Sequence, residues 1–246
     1  MARLLQHLIS PPEPCSYLPD ARSELESRIM VDVTPDEVDY LLARGWRRFG
    51  PPYFRPRCPA CQECVGVRVV VGEFEPTRSQ RRVLREGAHL VRTVSAPSPS
   101  PERLALYHAW HAGREDARGW REDRTDERSY TLQFCFPHPC AREMAYFEGD
   151  RLVCVGIADE TPEALSLVYC FYEPERAALS LGTYNVLASL ELARALGKRW
   201  VYLGFRVEGC PSLRYKGRFH PQEALLTRPE LGDPPVWTRV APERQA

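Results

Sequence analysis

Residues 144–206 carry the pattern that most limits the fold. "MAYFEGDRLVCVGIADETPEALSLVYCFYEP" is rich in β-branched and aromatic residues, and it predicts three strands with a tight turn at Glu148, Gly149 and Asp150. "ALSLGTYNVLASLELARALG" then predicts a strand ending in Gly182 and a helix ending near Gly197, with "RWVYLGF" as a further strand. Short turns make neighbouring strands antiparallel, whereas a helix between two strands permits a parallel crossover. Antiparallel strands followed by one crossover give an α+β layout of the kind acyltransferases use. The helix start at Thr183 to Asn185 would lie beside a strand end, where free backbone N–H groups suit an anion or a polarised carbonyl.

Upstream the punctuation is clearer than the strands. "TPDEVDYLLARGW" predicts a helix with Thr34 as N-cap, Pro35 in its first turn, Asp36 and Glu37 on the positive end of the dipole, and Gly45 closing it. Residues 1–33, with Pro11, Pro12, Pro14 and Pro19, are expected to be irregular. "RRFGPPYFRPRC" reads as a strand and turn, and the alternating "CVGVRVVVGEF" as a strand. A second helix starts at Thr77 in "PTRSQRRVLRE". Its Arg78, Arg81, Arg82 and Arg85 share one face, with Glu86 as the opposing charge. Such a face is either simply solvated or a phosphate contact. The Pro/Ser tract at residues 95–101 predicts a boundary between an N-terminal part, 1–95, and a C-terminal part, 96–246. "PERLALYHAWHAGRE" reads as a helix and "RTDERSYTLQFCF" as polar, then strand-like.

Charge and cysteine content narrow the class. The 33 basic and 33 acidic residues of the 246-residue chain cancel, which argues against a face coated in nucleic acid but leaves room for a local basic patch. No apolar run reaches the roughly 18 residues of a membrane span. The opening "MARLLQHLISPPEPC" lacks the apolar core and cleavage site of a secretory signal, so a cytoplasmic location is expected. Nine cysteines in such a chain point to metal or to buried thiols and not to disulfides. Cys154 and Cys170 lie in apolar runs and read as core thiols. "RCPACQEC" places Cys58, Cys61 and Cys64 in two overlapping C-x-x-C steps, and "CSYLPD" adds Cys15. Four thiolates would close a tetrahedral zinc site or hold an iron–sulfur cluster. The other reading is thiols packed between strand and loop.

Longer stretches carry a resemblance. "CSYLP", "RGWRRFGPPYFRPRCPACQECVGVRV" and "PTRSQRRVLR" resemble the N-terminal region of the aminoacyl-tRNA–protein transferases. "FYEPERAALSLGTYNVLASLELARALG" and "VYLGFRVEGCPSLRYKGRFHP" resemble their C-terminal region. The resemblance spans roughly residues 14–226, and the chain length is similar to the bacterial branch that transfers leucine. It implies an acetyltransferase-like (GNAT) C-terminal domain and a smaller, cysteine-bearing N-terminal α+β domain. It also implies transfer of leucine from leucyl-tRNA to proteins with an N-terminal Asp or Glu, which marks them for degradation under the N-end rule.

The same resemblance assigns residues. Arg78, Ser79, Arg81 and Arg82 would grip the tRNA, while Arg206, Lys216 and Arg218, with Arg214, would supply cations around the reacting ends. Tyr169, Tyr172, Tyr202, Tyr215 and Phe219, with Phe205, would stack on adenine or wall the leucine. An aminoacyl ester is already activated, so the step needs no cofactor and no coenzyme A, only a positioned amine and a stabilised oxyanion. Asp159 is the expected base or orienter of the amine, and the backbone at Gly182, Thr183 and Tyr184 the expected oxyanion site. Cys15, Cys58, Cys61 and Cys64 are the expected structural metal or cluster ligands. Three other readings stand beside this one: an arginine donor, a coenzyme A-dependent acetyltransferase, and a non-catalytic metal-stabilised tRNA-binding protein. "SLGTYNV" has a single glycine, Gly182, where a pyrophosphate-cradling loop would have more.

Overall fold

The computed structural model describes residues 2–118 and 125–241. Its strands are β1 (Arg3–Ile9), β2 (Glu13–Pro14), β3 (Arg22–Ser23), β4 (Leu25–Val31), β5 (Arg47–Arg48), β6 (Pro52–Pro56) and β7 (Val65–Val70). They continue as β8 (Val91–Ser95), β9 (Ala141–Glu148), β10 (Arg151–Glu160), β11 (Ala164–Tyr172), β12 (Trp200–Arg206), β13 (Gln222–Leu225) and β14 (Trp237–Val240). The helices are α1 (Pro35–Ala43), α2 (Arg78–Glu86), α3 (Pro101–Arg118), α4 (Glu127–Phe134), α5 (Leu181–Ala195) and the single turn α6 (Pro211–Arg214). The mixture is the α+β class expected. Contacts gather it into two compact units: Met1–Glu75 with Thr161–Ser166 and Ala193–Ala246, and Pro76–Glu160 with Leu167–Leu192. Sequence order and compactness therefore divide the chain differently.

In the first unit, β1, β4, β6 and β5 pair in that order, antiparallel throughout. The expectation of irregular backbone over residues 1–33 is thus corrected. β1, "RLLQHLI", is exposed at every position and never alternates, so the period-two signal of a strand is missing. A second set runs β14-β13-β7-β12, and the first three residues of β11 pair parallel to Trp200–Tyr202. α1 begins as read. The Thr34 hydroxyl accepts the Glu37 N–H at 3.3 Å and the Glu37 carboxylate returns to the Thr34 N–H at 2.9 Å. Val38, Leu41 and Leu42 form its buried stripe. Gly45, at φ +81°, turns the chain out.

In the second unit, β10 pairs with β9 and β9 with β8, all antiparallel. The turn between β9 and β10 is closed by Gly149 at φ +59°, where it was expected. Arg103 of α3 clamps the fully buried Glu143 of β9 from two nitrogens, at 2.6 to 3.0 Å. "RTDERSYTLQFCF" is corrected over its described residues from strand to helix: Asp126 caps α4 by accepting the Ser129 N–H at 2.8 Å. Tyr130 and Phe134, four apart, are its buried pair, a helical spacing hidden inside an aromatic-rich run. Gly182 does not end a strand. It lies in the first turn of α5, after a tight helical segment at Pro174–Leu179 and Ser180 at φ 51°. α5 ends where expected, at Gly197 with φ +67°.

Candidate functional site

The basic helix α2 belongs to the second unit. Thr77 caps it, and Gln80 answers in a capping box while Val83 and Gln80 face inward. Arg78, Arg81, Arg82 and Arg85 are all exposed or nearly so along this helix. Arg81 donates to the Pro76 carbonyl at 2.6 Å and Arg82 lies 3.4 Å from Glu86. Arg78 and Arg85 have no side-chain partner among the described residues. Ser79 sits on the same exposed first turn, its hydroxyl 3.1 Å from that of Thr77. Three or four cations on one solvated face suit phosphates better than a buried ligand.

The start of α5 lies in the same unit. The N–H groups of Thr183 and Tyr184 both donate to the Ser180 carbonyl, at 2.8 and 2.9 Å, so neither is free for an oxyanion. Among the described residues, the N–H of Gly182 makes no such backbone bond. A Cβ on Gly182 would lie 3.5 Å from the Tyr172 ring, so these two expected site residues meet. Arg114 donates to the Tyr172 hydroxyl at 2.8 Å and lies 5.0 Å over Trp110, neither of which the sequence singled out. Tyr169 stands in an aromatic nest with Tyr107, Trp110 and Phe134, and its hydroxyl is 3.0 Å from Nε2 of His111. Tyr184 is buried instead against Gly87, whose missing side chain makes the room. Asn185 accepts the Tyr146 hydroxyl at 2.9 Å, and Gly156 is bare where a Cβ would strike that amide. Asp159 has no exposed surface, so a peptide amine arriving from solvent does not reach it. That enclosure corrects its assignment as the base that meets the amine.

The remaining expected residues fall in the first unit. Phe219 is 1 % exposed and Tyr202 is 4 % exposed, so both are core and not stacking faces for a base. Tyr202 packs on Trp237 with centroids 5.5 Å apart, and its hydroxyl accepts from Arg68 at 3.1 Å. Arg68 itself lies 4.0 Å over Trp200 and 4.2 Å over Trp237, paired to Glu223 at 2.7 Å. Arg218 is exposed, whereas Arg206 and Tyr215 are half-buried, with the Tyr215 ring edge-on to Phe219. Lys216 stands out. It donates to the Phe205 carbonyl at 3.0 Å, and burial followed by the like charge of Arg47 pushes its ammonium down to about 7. Arg47 carried no sequence signal. It lies in a two-residue strand and reads as one more surface cation, yet it is 8 % exposed.

Cys15, Cys58 and Cys61 lie near enough to Cys64 to act on its charge. Burial first, then the neighbouring thiols Cys58, Cys15 and Cys61, push the Cys64 thiol up to about 12. Arg228 ties the loop by donating to the carbonyls of Cys58 and Cys61, at 3.0 and 2.6 Å. Cys58 instead accepts the Glu24 N–H at 3.4 Å and Cys15 the Tyr17 N–H at 3.4 Å. Among the described residues no three His, Cys, Asp or Glu side chains are disposed to hold a metal ion. The donor types suit zinc or a cluster, but their arrangement does not fit one, and no chemical step is derived through it. Cys154 and Cys170, read as core thiols, face each other at 3.7 Å, with Cys154 fully buried.

Two family descriptions match the chain: "Arginine-tRNA-protein transferase, N terminus" over residues 13–82 and "Arginine-tRNA-protein transferase, C terminus" over residues 102–226. It is 34 % identical to the aspartate/glutamate leucyltransferase of Campylobacter jejuni, over 88 % of this chain and 91 % of that one. It is also 34 % identical to the protein of that name from Nitrobacter hamburgensis, over 96 % of this chain and 92 % of that one. The solved structure of FemX is a distant likeness, with a TM-score of 0.44 and 10 % identity over 76 % of this chain and 64 % of that one. No helix among the described residues is long and apolar enough to cross a membrane.

Proposed function

The chain belongs to the arginine-tRNA-protein transferase family, and from that premise we propose that it moves leucine from leucyl-tRNA to the α-amine of proteins beginning with Asp or Glu. The leucine would mark those proteins for degradation under the N-end rule. The observation that carries this reading is the identity to leucyltransferases across nearly the full length, with both family regions present. A cytoplasmic enzyme acting on leucyl-tRNA, without coenzyme A, is the corresponding setting.

The ester donor is already activated, so the protein's task is to position the amine and stabilise the oxyanion. The acceptor α-amine, with an ordinary pKa of about 7.7–8.0, is partly neutral at working pH and needs little help to lose a proton. The exposed face of Arg78, Arg81 and Arg82, with Ser79 beside them, supports a grip on tRNA phosphates. The Gly182 N–H at the start of α5, next to Tyr172, is the donor left for the tetrahedral oxyanion. Tyr172, tied to Arg114, would wall the 3′ end or the leucine. Arg206 ends β12, and Tyr215 and Arg218 follow it on the cationic segment that would bind substrate.

The test is a transfer assay with purified protein, radiolabelled leucyl-tRNA or arginyl-tRNA, and peptides differing in their first residue. Leucine transfer to Asp and Glu peptides, and not to Lys or Arg peptides, is the expected result. Arginine transfer would keep the reaction and change the donor. Absence of transfer from either donor, with tRNA still bound, would leave a tRNA-binding protein and end the enzymatic reading.

A further inference from the structure

We propose that Cys154 and Cys170 are a redox switch, which peroxide closes into a disulfide that displaces Tyr172 and the first turn of α5. The bond itself is independent of the transfer reading above; only its effect on activity rests on that reading. Every residue involved lies in the second unit. β10 and β11 are hydrogen-bonded neighbours joined through residues 161–163. The two Sγ atoms face each other across these strands at 3.7 Å. Neighbouring strands lie about 5 Å apart, inside the Cα separation that a disulfide spans, so side-chain rotation can close the gap to a bond.

The pair sits where strain would reach α5. Cys154 lies directly opposite Tyr146 in the register of β10 against β9, and Gly156 lies opposite Met144. Tyr146 donates to Asn185 of α5 at 2.9 Å, and the Ser189 hydroxyl lies 3.5 Å from the Met144 sulfur. Both thiols stand close enough to the Tyr146 phenol to act on its charge. Cys170 precedes Tyr172 by two residues on β11. Tyr172 is the ring that meets Gly182 and accepts from Arg114. A bond between the sulfurs therefore acts on two anchors of α5 at once, Tyr146 against Asn185 and Tyr172 against Gly182.

The two thiols have different parts in the reaction. Cys170 is half-buried and Cys154 has no exposed surface, so the oxidant meets Cys170 first. Burial, and then Cys170 beside it, push the Cys154 thiol well up, which keeps that sulfur protonated until its partner is oxidised. Peroxide gives one oxygen to the Cys170 sulfur, leaving a sulfenic acid and one water. The Cys154 sulfur then attacks the sulfenic sulfur. The S–S bond forms as the S–O bond breaks, and the thiol proton leaves with the hydroxyl as a second water. Together the thiols give up two electrons, and the peroxide is reduced to water. A small reducing thiol reverses the step by exchange. Disulfides in reducing compartments are typically of this transient, sensing kind.

Residues 152–176 form one tryptic peptide that holds both thiols and no other cysteine. The full-length protein is treated with hydrogen peroxide, alkylated and digested, and mass spectrometry reads that peptide. It is expected without alkyl groups and lighter by two hydrogens. A glutamyl endopeptidase, cutting after Glu160 or Glu163, is expected to leave its halves joined until dithiothreitol is added. Amide exchange over residues 181–186 is expected to quicken in the oxidised protein and to slow again on reduction. Leucine transfer is expected to fall about tenfold or more, as a shift of about 1 Å in a positioning group would produce, and to recover with dithiothreitol. Cys170→Ser and Cys154→Ala are each expected to make exchange and transfer indifferent to peroxide. A peptide that stays fully alkylated, or is oxidised only to sulfinic acid, overturns the pair. A disulfide that leaves exchange over 181–186 or the rate of transfer at its reduced value overturns the switch, as does inhibition that persists equally in both variants. A disulfide that quickens exchange in a protein that transfers no leucine even when reduced supports the switch and refutes the transfer reading.

Discussion

Glu26 shows how single groups set the stability of the first unit. Its carboxylate, 2 % exposed, is met by Arg55 at 2.7 Å, Arg57 at 3.2 Å and His7 at 2.9 Å. Burial alone would raise its pKa, but the hydrogen bonds from Arg55 and His7 outweigh it and hold the carboxyl below its usual value. A carboxyl depressed by folding adds stability that is present above about pH 4.3, its unfolded range, and is lost as pH falls through the folded value. Glu26→Gln is therefore expected to cost about 1–3 kcal/mol near pH 7, because Arg55 loses the charged partner of its Nε while keeping Glu230 at 3.0 Å. The difference from wild type narrows below pH 4, as urea midpoints at pH 7 and pH 3.5 would register. Equal differences at the two pH values would contradict this account. Asn185 makes a neutral version of the same point in the second unit. Asn185→Ala strands the buried Tyr146 hydroxyl and is expected to lose about 1–3 kcal/mol, whereas Tyr146→Phe, which removes a polar group along with the bond, loses less.

α2 shows what an element adds beyond its residues. Thr77 and Gln80 fix where it starts, and that start determines which side the arginines face. Thr77→Ala is expected to lower helix stability by about 1 kcal/mol and to weaken tRNA binding by fraying the first turn, even though Thr77 itself carries no charge. Removing Arg78, Arg81 and Arg82 together acts differently. It should lower tRNA affinity without regard to the amino acid carried, and flatten the slope of log K against log salt by about 1 for each phosphate no longer neutralised. A filter-binding titration across several salt concentrations separates the two. A slope unchanged in the triple variant would return α2 to a solvated face. α2, α1 and the end of α5 were legible in the sequence because caps and closing glycines are local chemistry. α4 was not, because aromatic β-formers at helical spacing, Tyr130 and Phe134, send two signals at once.

At the scale of the molecule, legibility fails where partners are distant in sequence. The Cys58–Cys64 loop and the "YKGRF" segment were visible as motifs. Arg47 could not be joined to Lys216 by any spacing, since strand pairing and the Gly204 bulge bring them together. Phe219 looks like a stacking face in the sequence, and Tyr202 like either a stacking face or core; both are core in the fold, where β12 and β13 flank β7. That interleaving has a consequence for dissection at the Pro/Ser tract. β7 lies between β12 and β13, and both neighbours come from beyond residue 199. A chain ending at residue 95 keeps "CVGVRVVV" but loses the hydrogen-bonding partners on each of its edges. Val67 and Val69, 1 % and 0 % exposed in the complete chain, would return to water at about 1.5–3 kcal/mol each. Strand edges left open in this way pair with other chains. The fragment 1–95 is therefore expected to show no amide protection across residues 65–70 by hydrogen exchange, and to aggregate at concentrations where the full chain stays in solution. Cooperative unfolding of that fragment with β7 protected would mean that the first part folds on its own, and that the strands arriving after residue 199 only cover a sheet already formed.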